Sequence, residues 1–104
     1  ITAKRKNFQL YKKNFKNSEH IDLIQEPKNS KCNYWLITGI LKNKVLREKL
    51  IIFLKKKGFY LRPTWRPLHT LKIFNHCPKD NMSNSMKFFD KAINFPSSPA
   101  ISYK

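Results

Sequence analysis

CNYWLITGIL, running from Cys32 to Leu41, is the stretch whose reading decides the fold. It concentrates aromatic and β-branched residues, the composition that suits a pleated, buried surface. Both of its alternating faces, Tyr34/Leu36/Ile40 and Trp35/Ile37/Leu41, are apolar. That pattern predicts a central strand covered on both sides. Gly39, inside it, marks a bulge or a close backbone approach.

Downstream, Asn43 is placed to cap a helix. Leu46, Leu50, Phe53 and Leu54 then recur at helical spacing and predict its inward stripe. Lys55, Lys56 and Lys57 complement the negative end of the helix dipole, and Gly58 supplies a left-handed stop. Phe59 to Leu61 begin a further strand, which Pro63 and Pro67 turn irregular. Proline lacks an amide donor, so this segment is expected along an edge or over a surface.

Upstream, Thr2 to Lys16 reads as a helix with Phe8, Tyr11 and Phe15 on one stripe, and Ile21 to Gln25 as a short strand. Toward the end, roughly Ser83 to Ala92 reads as a third helix, with Met86, Phe89 and Ile93 on one face. Phe95-Pro96-Ser97-Ser98-Pro99 follows as an extended tail, its serines serving turn and backbone hydrogen bonds. The expected fold class is α+β: a small antiparallel or mixed sheet of about three strands covered by helices.

The chain carries 22 Lys and Arg against 6 Asp and Glu, a formal net charge of +16. Such a charge invites a polyanionic partner. The cations, however, are spread from Lys4 to Lys104, and the company of Lys, Asn, Ile and Phe is that of AT-rich codons. No RNA- or DNA-binding signature accompanies them. A free-standing basic nucleic-acid-binding module is therefore the alternative reading, and a domain kept as an interaction unit is a third. Cys32 and Cys77 lack the paired spacing of a zinc site and are expected to be reduced thiols in a cytoplasmic protein. No apolar run approaches the roughly 18 residues of a membrane span. There is no P-loop, dinucleotide-binding glycine turn or nucleophile elbow.

The segment FYLRPTWRPLH, Phe59 to His69, gathers the residues with chemical capacity. Arginine grips phosphate or carboxylate through paired hydrogen bonds, tryptophan offers a flat face, and histidine exchanges protons near neutrality. Irregular segments braced by a scaffold are where binding residues concentrate.

Four motifs stand in series: Asn33-Tyr34-Trp35-Leu36; Arg62-Pro63-x-Trp65-x-x-Leu68-His69; His76-Cys77-Pro78; and Ile93-Asn94-Phe95-Pro96-Ser97-Ser98-Pro99. Together they resemble the C-terminal domain of the DegT/DnrJ family of sugar-nucleotide aminotransferases, nearest the subgroup acting on UDP-4-keto-6-deoxy sugars for surface glycans. The resemblance implies the small domain of a type I aminotransferase, residues 1–104. Residues 1–16 would then be a lead-in helix from an upstream domain that binds pyridoxal 5'-phosphate. It implies a homodimer in which an amino donor, glutamate in most members, supplies the group passed to a nucleotide-linked keto sugar. The Schiff-base lysine and most cofactor contacts belong to the large domain, so no residue here is expected to be catalytic and the fragment is not expected to act alone. His69 is the first candidate for substrate contact, followed by Arg62 and Trp65, with Asn33 and Tyr34 at the strand edge.

Overall fold

The computed structural model describes residues 1–99. Helix α1 (Thr2–Phe15) leads into β1 (Ile21–Leu23) and β2 (Ile37–Leu41), followed by α2 (Lys44–Lys56). A two-residue strand, β3 (Arg62–Pro63), precedes two short 3-10 turns at Leu68–Thr70 and Lys72–Phe74. Helix α3 (Ser83–Lys91) then runs directly into β4 (Ala92–Phe95). All pairings are antiparallel, in the order β1-β2-β4-β3. The fold is α+β as expected, with four strands in place of about three.

β4 is the element that the sequence pattern hid. The spacing of Met86, Phe89 and Ile93 suits one helical face, yet α3 ends at Lys91 and Ile93 lies fully buried in the sheet. All four residues of β4 are buried, because the strand is flanked on both sides and covered on both faces. Phe95 therefore belongs to this strand, and the extended segment begins at Pro96.

β2 is central, but shorter than its composition suggests. Tyr34 adopts a left-handed backbone conformation (φ 49°) that ends the extended run before Ile37. Directly opposed residues on antiparallel strands share a face. The pairs Ile21↔Leu41, Leu23↔Gly39, Gly39↔Ile93 and Ile37↔Phe95 therefore project to one side. There Phe8, Tyr11 and Phe15 of α1 pack as expected, together with Leu46, Leu50 and Leu54 of α2. Phe53 is the exception: it is 57% exposed, with Lys57 above its ring, while Ile51 turns inward instead. The side chains of Phe8, Ile37, Leu41 and Ile93 are the largest that are fully buried, each contributing about 1.5–3 kcal/mol.

Gly39 makes the close approach that its position suggested. A Cβ there would stand 2.8 Å from Phe95 Cε2 and 3.2 Å from Ile21 Cγ2. Helix α2 starts at its Asn43 cap, whose Oδ1 accepts from Leu46 N at 2.8 Å, and Gly58 follows it at φ 84°. β3 occupies the sheet edge, where Pro63 removes no ladder bond that an inner strand would need. Among the described residues no helix is long and apolar enough to cross a membrane.

Substitution of Gly39 by alanine forces Phe95 or the β2 backbone to move. We expect a loss of about 1–3 kcal/mol in unfolding free energy, read by urea denaturation. An unchanged midpoint would show that the Phe95 ring relaxes freely.

Candidate functional site

The helix-covered face of the sheet is closed, and the opposite face carries the candidate site. Thr38 on β2 lies opposite Asn94 on β4, and Asn94 lies opposite Arg62 on β3. These three side chains form one row across the sheet, which Ile24 extends beyond β1 through its N–H bond to Thr38 O at 2.9 Å. Thr38 Oγ1 donates to Asn94 Oδ1 at 2.7 Å, which fixes the buried amide and leaves its NH2 group as the available donor.

Over this row lies an open groove of about 760 Å³. Its walls come from Phe88 and Phe89 of α3 and from the proline-braced segment Thr64–His69, with Leu36 at one end. The lining is mainly apolar, with a few convergent polar groups, the composition of a small-molecule site. Two of those groups lack partners. Thr64 Oγ1 and His69 Nδ1 are buried with no hydrogen-bond partner among the described residues. Such atoms cost free energy unless something fills them.

The five candidate residues divide. Trp65 and His69 line the groove, with His69 half-buried on the Leu68–Thr70 turn. Arg62 stands on the groove side of the sheet through its pairing with Asn94, outside the lining itself. Asn33 is exposed, and its Oδ1 accepts from Trp35 N at 2.9 Å, a local turn bond. Tyr34 is a core residue: only 4% exposed, it stacks on Phe8 with centroids 3.9 Å apart, under α1. Neither Asn33 nor Tyr34 lines the groove, because the left-handed turn at Tyr34 directs that ring to the helix side.

Sequence reasoning missed Asn94, Thr38, Thr64 and the pair Phe88/Phe89. Asn94 carried a signal, as the polar centre of an otherwise apolar motif. Thr64 and the α3 aromatics became legible only once the sheet brought their segments together. Phe89 is held by Arg47, a buried arginine on α2 whose Nη1 donates to Phe89 O and whose guanidinium lies 5.3 Å from the ring centre.

A strap fixes the loop that enters β2. Arg5 donates to both carboxylate oxygens of Glu26, at 3.1 and 2.9 Å, and also to Cys32 O. Cys32 N donates to Glu26 Oε2 at 2.8 Å. The hydrogen bond from Arg5, then that from Cys32, holds the Glu26 carboxyl below the ordinary range, while burial pushes the Tyr34 phenol up.

Residues 1–104 match the DegT/DnrJ/EryC1/StrS aminotransferase family. GDP-perosamine synthase of Escherichia coli O157:H7 is 29% identical over 103 residues, covering 98% of this chain and 27% of that protein. The aminotransferase TlmJ of Streptoalloteichus hindustanus superposes with a TM-score of 0.88 at 14% identity, over 98% of this chain and 27% of its own. The GDP-4-keto-6-deoxy-D-mannose-3-dehydratase of E. coli, solved with bound hydrated PLP, gives 0.76 at 21% identity, over 95% and 27%. The chain thus spans about a quarter of the length of these relatives.

A carboxyl held below its ordinary value stabilises the fold fully above its unfolded pKa, near 4.3, and loses that contribution as pH falls through the lower native value. Glu26→Gln is therefore expected to melt at a lower temperature than the parent at pH 7. The gap should close below about pH 4, as the native carboxyl itself protonates. A gap that does not change with pH would assign the strap's effect to shape alone.

Proposed function

The chain belongs to the DegT/DnrJ/EryC1/StrS aminotransferase family, and we propose that it is the C-terminal small domain of an enzyme that aminates a nucleotide-linked keto sugar. The groove over β2, β4 and β3 serves as one wall of the substrate site. One observation carries this reading: an apolar groove in which Thr64 Oγ1 and His69 Nδ1 are buried without partners. Both residues line the groove, so a polyhydroxylated ligand reaches these two polar groups once their side chains turn toward it. The imidazole holds a sugar hydroxyl or the donor's carboxylate, Thr64 orients the ring beside it, and Phe88 and Phe89 exclude water.

Pyridoxal phosphate demands a lysine amine for its aldehyde and a seat of backbone amides or cations for its phosphate. The described lining of the groove contains no lysine, arginine or glycine. These residues do not fit the cofactor, and in this reading its seat lies on other parts of the parent enzyme. The parent is taken to be a cytoplasmic homodimer using glutamate as donor, with its product directed to a surface glycan. The chain's own residues select and position the substrate.

A nucleic-acid module finds no matching geometry in the groove. A polyanion gains affinity from clustered cations, whereas this lining is mainly apolar and holds no lysine or arginine.

In the full-length enzyme, His69→Ala should lower kcat/KM for the sugar nucleotide by roughly 10- to 100-fold, the equivalent of about 1.4–2.7 kcal/mol. The affinity for pyridoxal phosphate, followed by its absorbance, should remain within twofold. Equal losses in both would make His69 a fold residue and sink its substrate role. Absence of pyridoxal phosphate absorbance that glutamate diminishes in the unmodified full-length protein would sink the aminotransferase reading itself.

A further inference from the structure

Helix α2 packs its Leu46, Leu50 and Leu54 stripe on the core, yet its outward face is not the purely polar one of a solvated helix. Val45 is 62% exposed, Ile52 56% and Phe53 57%. Ile52 follows Val45 by two helical turns, so both lie on one side, with Phe53 beside them. Beyond the left-handed Gly58 come Phe59 and Tyr60, 58% and 70% exposed. Phe59 N donates to Leu54 O at 2.9 Å, which holds this backbone at the helix end. Single exposed apolar residues are ordinary, but a run of them along one helix and its cap marks a contact surface.

The same surface carries charge of one sign. Lys49 lies one turn before Ile52 and Phe53, Lys56 one turn after, and Lys55 and Lys57 close the helix end. All four lysines are exposed, and none forms an ion pair among the described residues. Glu48, the acidic residue of α2, is already held by Arg47. Lys57 Nζ stands 5.8 Å from the centre of the Phe53 ring, so cation and ring occupy one place. No residue of this patch lines the groove, which lies across the sheet from the core that α2 covers.

Charge complementarity selects the occupant. Apolar side chains bordered by lysines match a surface that is anionic outside and apolar just beneath, which is a bilayer with acidic headgroups. Lysine stems lie along apolar material while their ammonium groups stay at the headgroups. Tyr60 joins an apolar ring to a polar tip, as residues at that level do. An acidic protein would satisfy the lysines but must be shaped to a convex helix, whereas a fluid bilayer conforms to it. Any such contact is peripheral, since no helix among the described residues is long and apolar enough to cross a membrane.

We propose that the outer face of α2, with Phe59 and Tyr60, docks the full-length protein on an anionic membrane surface. Ile52 and Phe53 enter the boundary between headgroups and acyl chains, and Lys49, Lys55, Lys56 and Lys57 hold lipid phosphates. The groove, across the sheet, stays clear of the bilayer.

The test sediments the full-length protein with vesicles of phosphatidylcholine alone, and with vesicles of equal parts phosphatidylcholine and phosphatidylglycerol. At low salt the protein should pellet with the anionic vesicles and stay in solution with the neutral ones. Phe53→Ser keeps every charge and should weaken binding by roughly 5- to 50-fold. Phe53→Trp should restore it, which guards against a folding defect in the serine variant. Lys49→Gln combined with Lys56→Gln should weaken binding by roughly 10- to 30-fold. Lys13→Gln combined with Lys16→Gln, an equal loss of charge on α1, should cost roughly threefold at most. The proposal is overturned if anionic vesicles do not pellet the protein, or if neutral vesicles pellet it equally. It is also overturned if Phe53→Ser binds like the unmodified protein, because net charge alone is then the attraction. Sedimentation velocity without lipid checks another occupant: an assembly that Phe53→Ser takes apart assigns the patch to a contact between copies and overturns the proposal as well. Vesicle binding is read without turnover, so its outcome is independent of the aminotransferase reading.

Discussion

The ring of Phe95 occupies the space where a side chain on Gly39 would stand, and the architecture depends on that contact. It lets β2 and β4 approach with Ile37 opposite Phe95 and Gly39 opposite Ile93. A slip of one residue would turn every side chain of a strand to the other face. The register that buries Ile37, Ile93 and Phe95 under the helices is thus the same register that puts Thr38, Asn94 and Arg62 in a row on the far side. Tyr11 and Phe15 complete the lock by packing on Phe95, each with its ring centre 5.4 Å away. Core and groove are two faces of one constraint.

The helical face is tied together by side chains that bond to backbone carbonyls. On the helical side, α1 clasps the segment after β4 with three residues at helical spacing. Lys4 Nζ donates to Ser97 O at 3.0 Å, Asn7 Nδ2 to Ser98 O at 2.9 Å and Tyr11 OH to Pro96 O at 2.9 Å. The serines of this segment thus offer carbonyls to the helix, and Ser97 Oγ bonds to Trp35 O. Several cations behind the net charge of +16 are engaged in the same way: Lys4, Arg5 and Arg47 all donate to backbone carbonyls. The groove side retains two unpartnered atoms, Thr64 Oγ1 and His69 Nδ1, and both exposed indoles, while Arg47 Nε on α2 is buried without a partner as well.

How much of this was legible in the sequence depended on the length of each element. Helices α1 and α2 announced themselves over several turns, and Asn43 and Gly58 bounded the second as their chemistry requires. Phe53 failed the pattern because three faces of α2 carry apolar residues, and periodicity alone could not choose between it and Ile51. β4 was hidden because four residues directly after a helix can extend the helical stripe as readily as start a strand, and only the pairing with β2 decides. Tyr34 was misjudged as a strand residue because nothing local marks an aromatic side chain for a left-handed conformation. Its stack on Phe8 is a contact across 26 positions. Trp65 and His69 were readable as groove residues since prolines fix their segment locally, whereas Thr38 and Asn94 acquire a role only through the sheet.

The four sequence motifs therefore owe their joint specificity to topology. β2 follows the first, β3 opens the second and β4 opens the last, and these three strands are neighbours in the sheet. The third, His76-Cys77-Pro78, reaches the same region by another route, since Cys77 and Pro78 line a smaller cavity of about 410 Å³ that shares His69 with the main groove. The motifs thus divide between the two faces, with Tyr34, Ile93 and Phe95 in the core and Leu36, Trp65, His69 and Asn94 at the groove. Here each supplies one part: Leu36 and the exposed Trp35 at one end, Arg62 to His69 along a wall, Cys77-Pro78 behind the imidazole, and Asn94 in the floor. Weak signals spaced along the chain add because the register of β2, β4 and β3 makes them neighbours, and any insertion that shifted that register would scatter all of them at once.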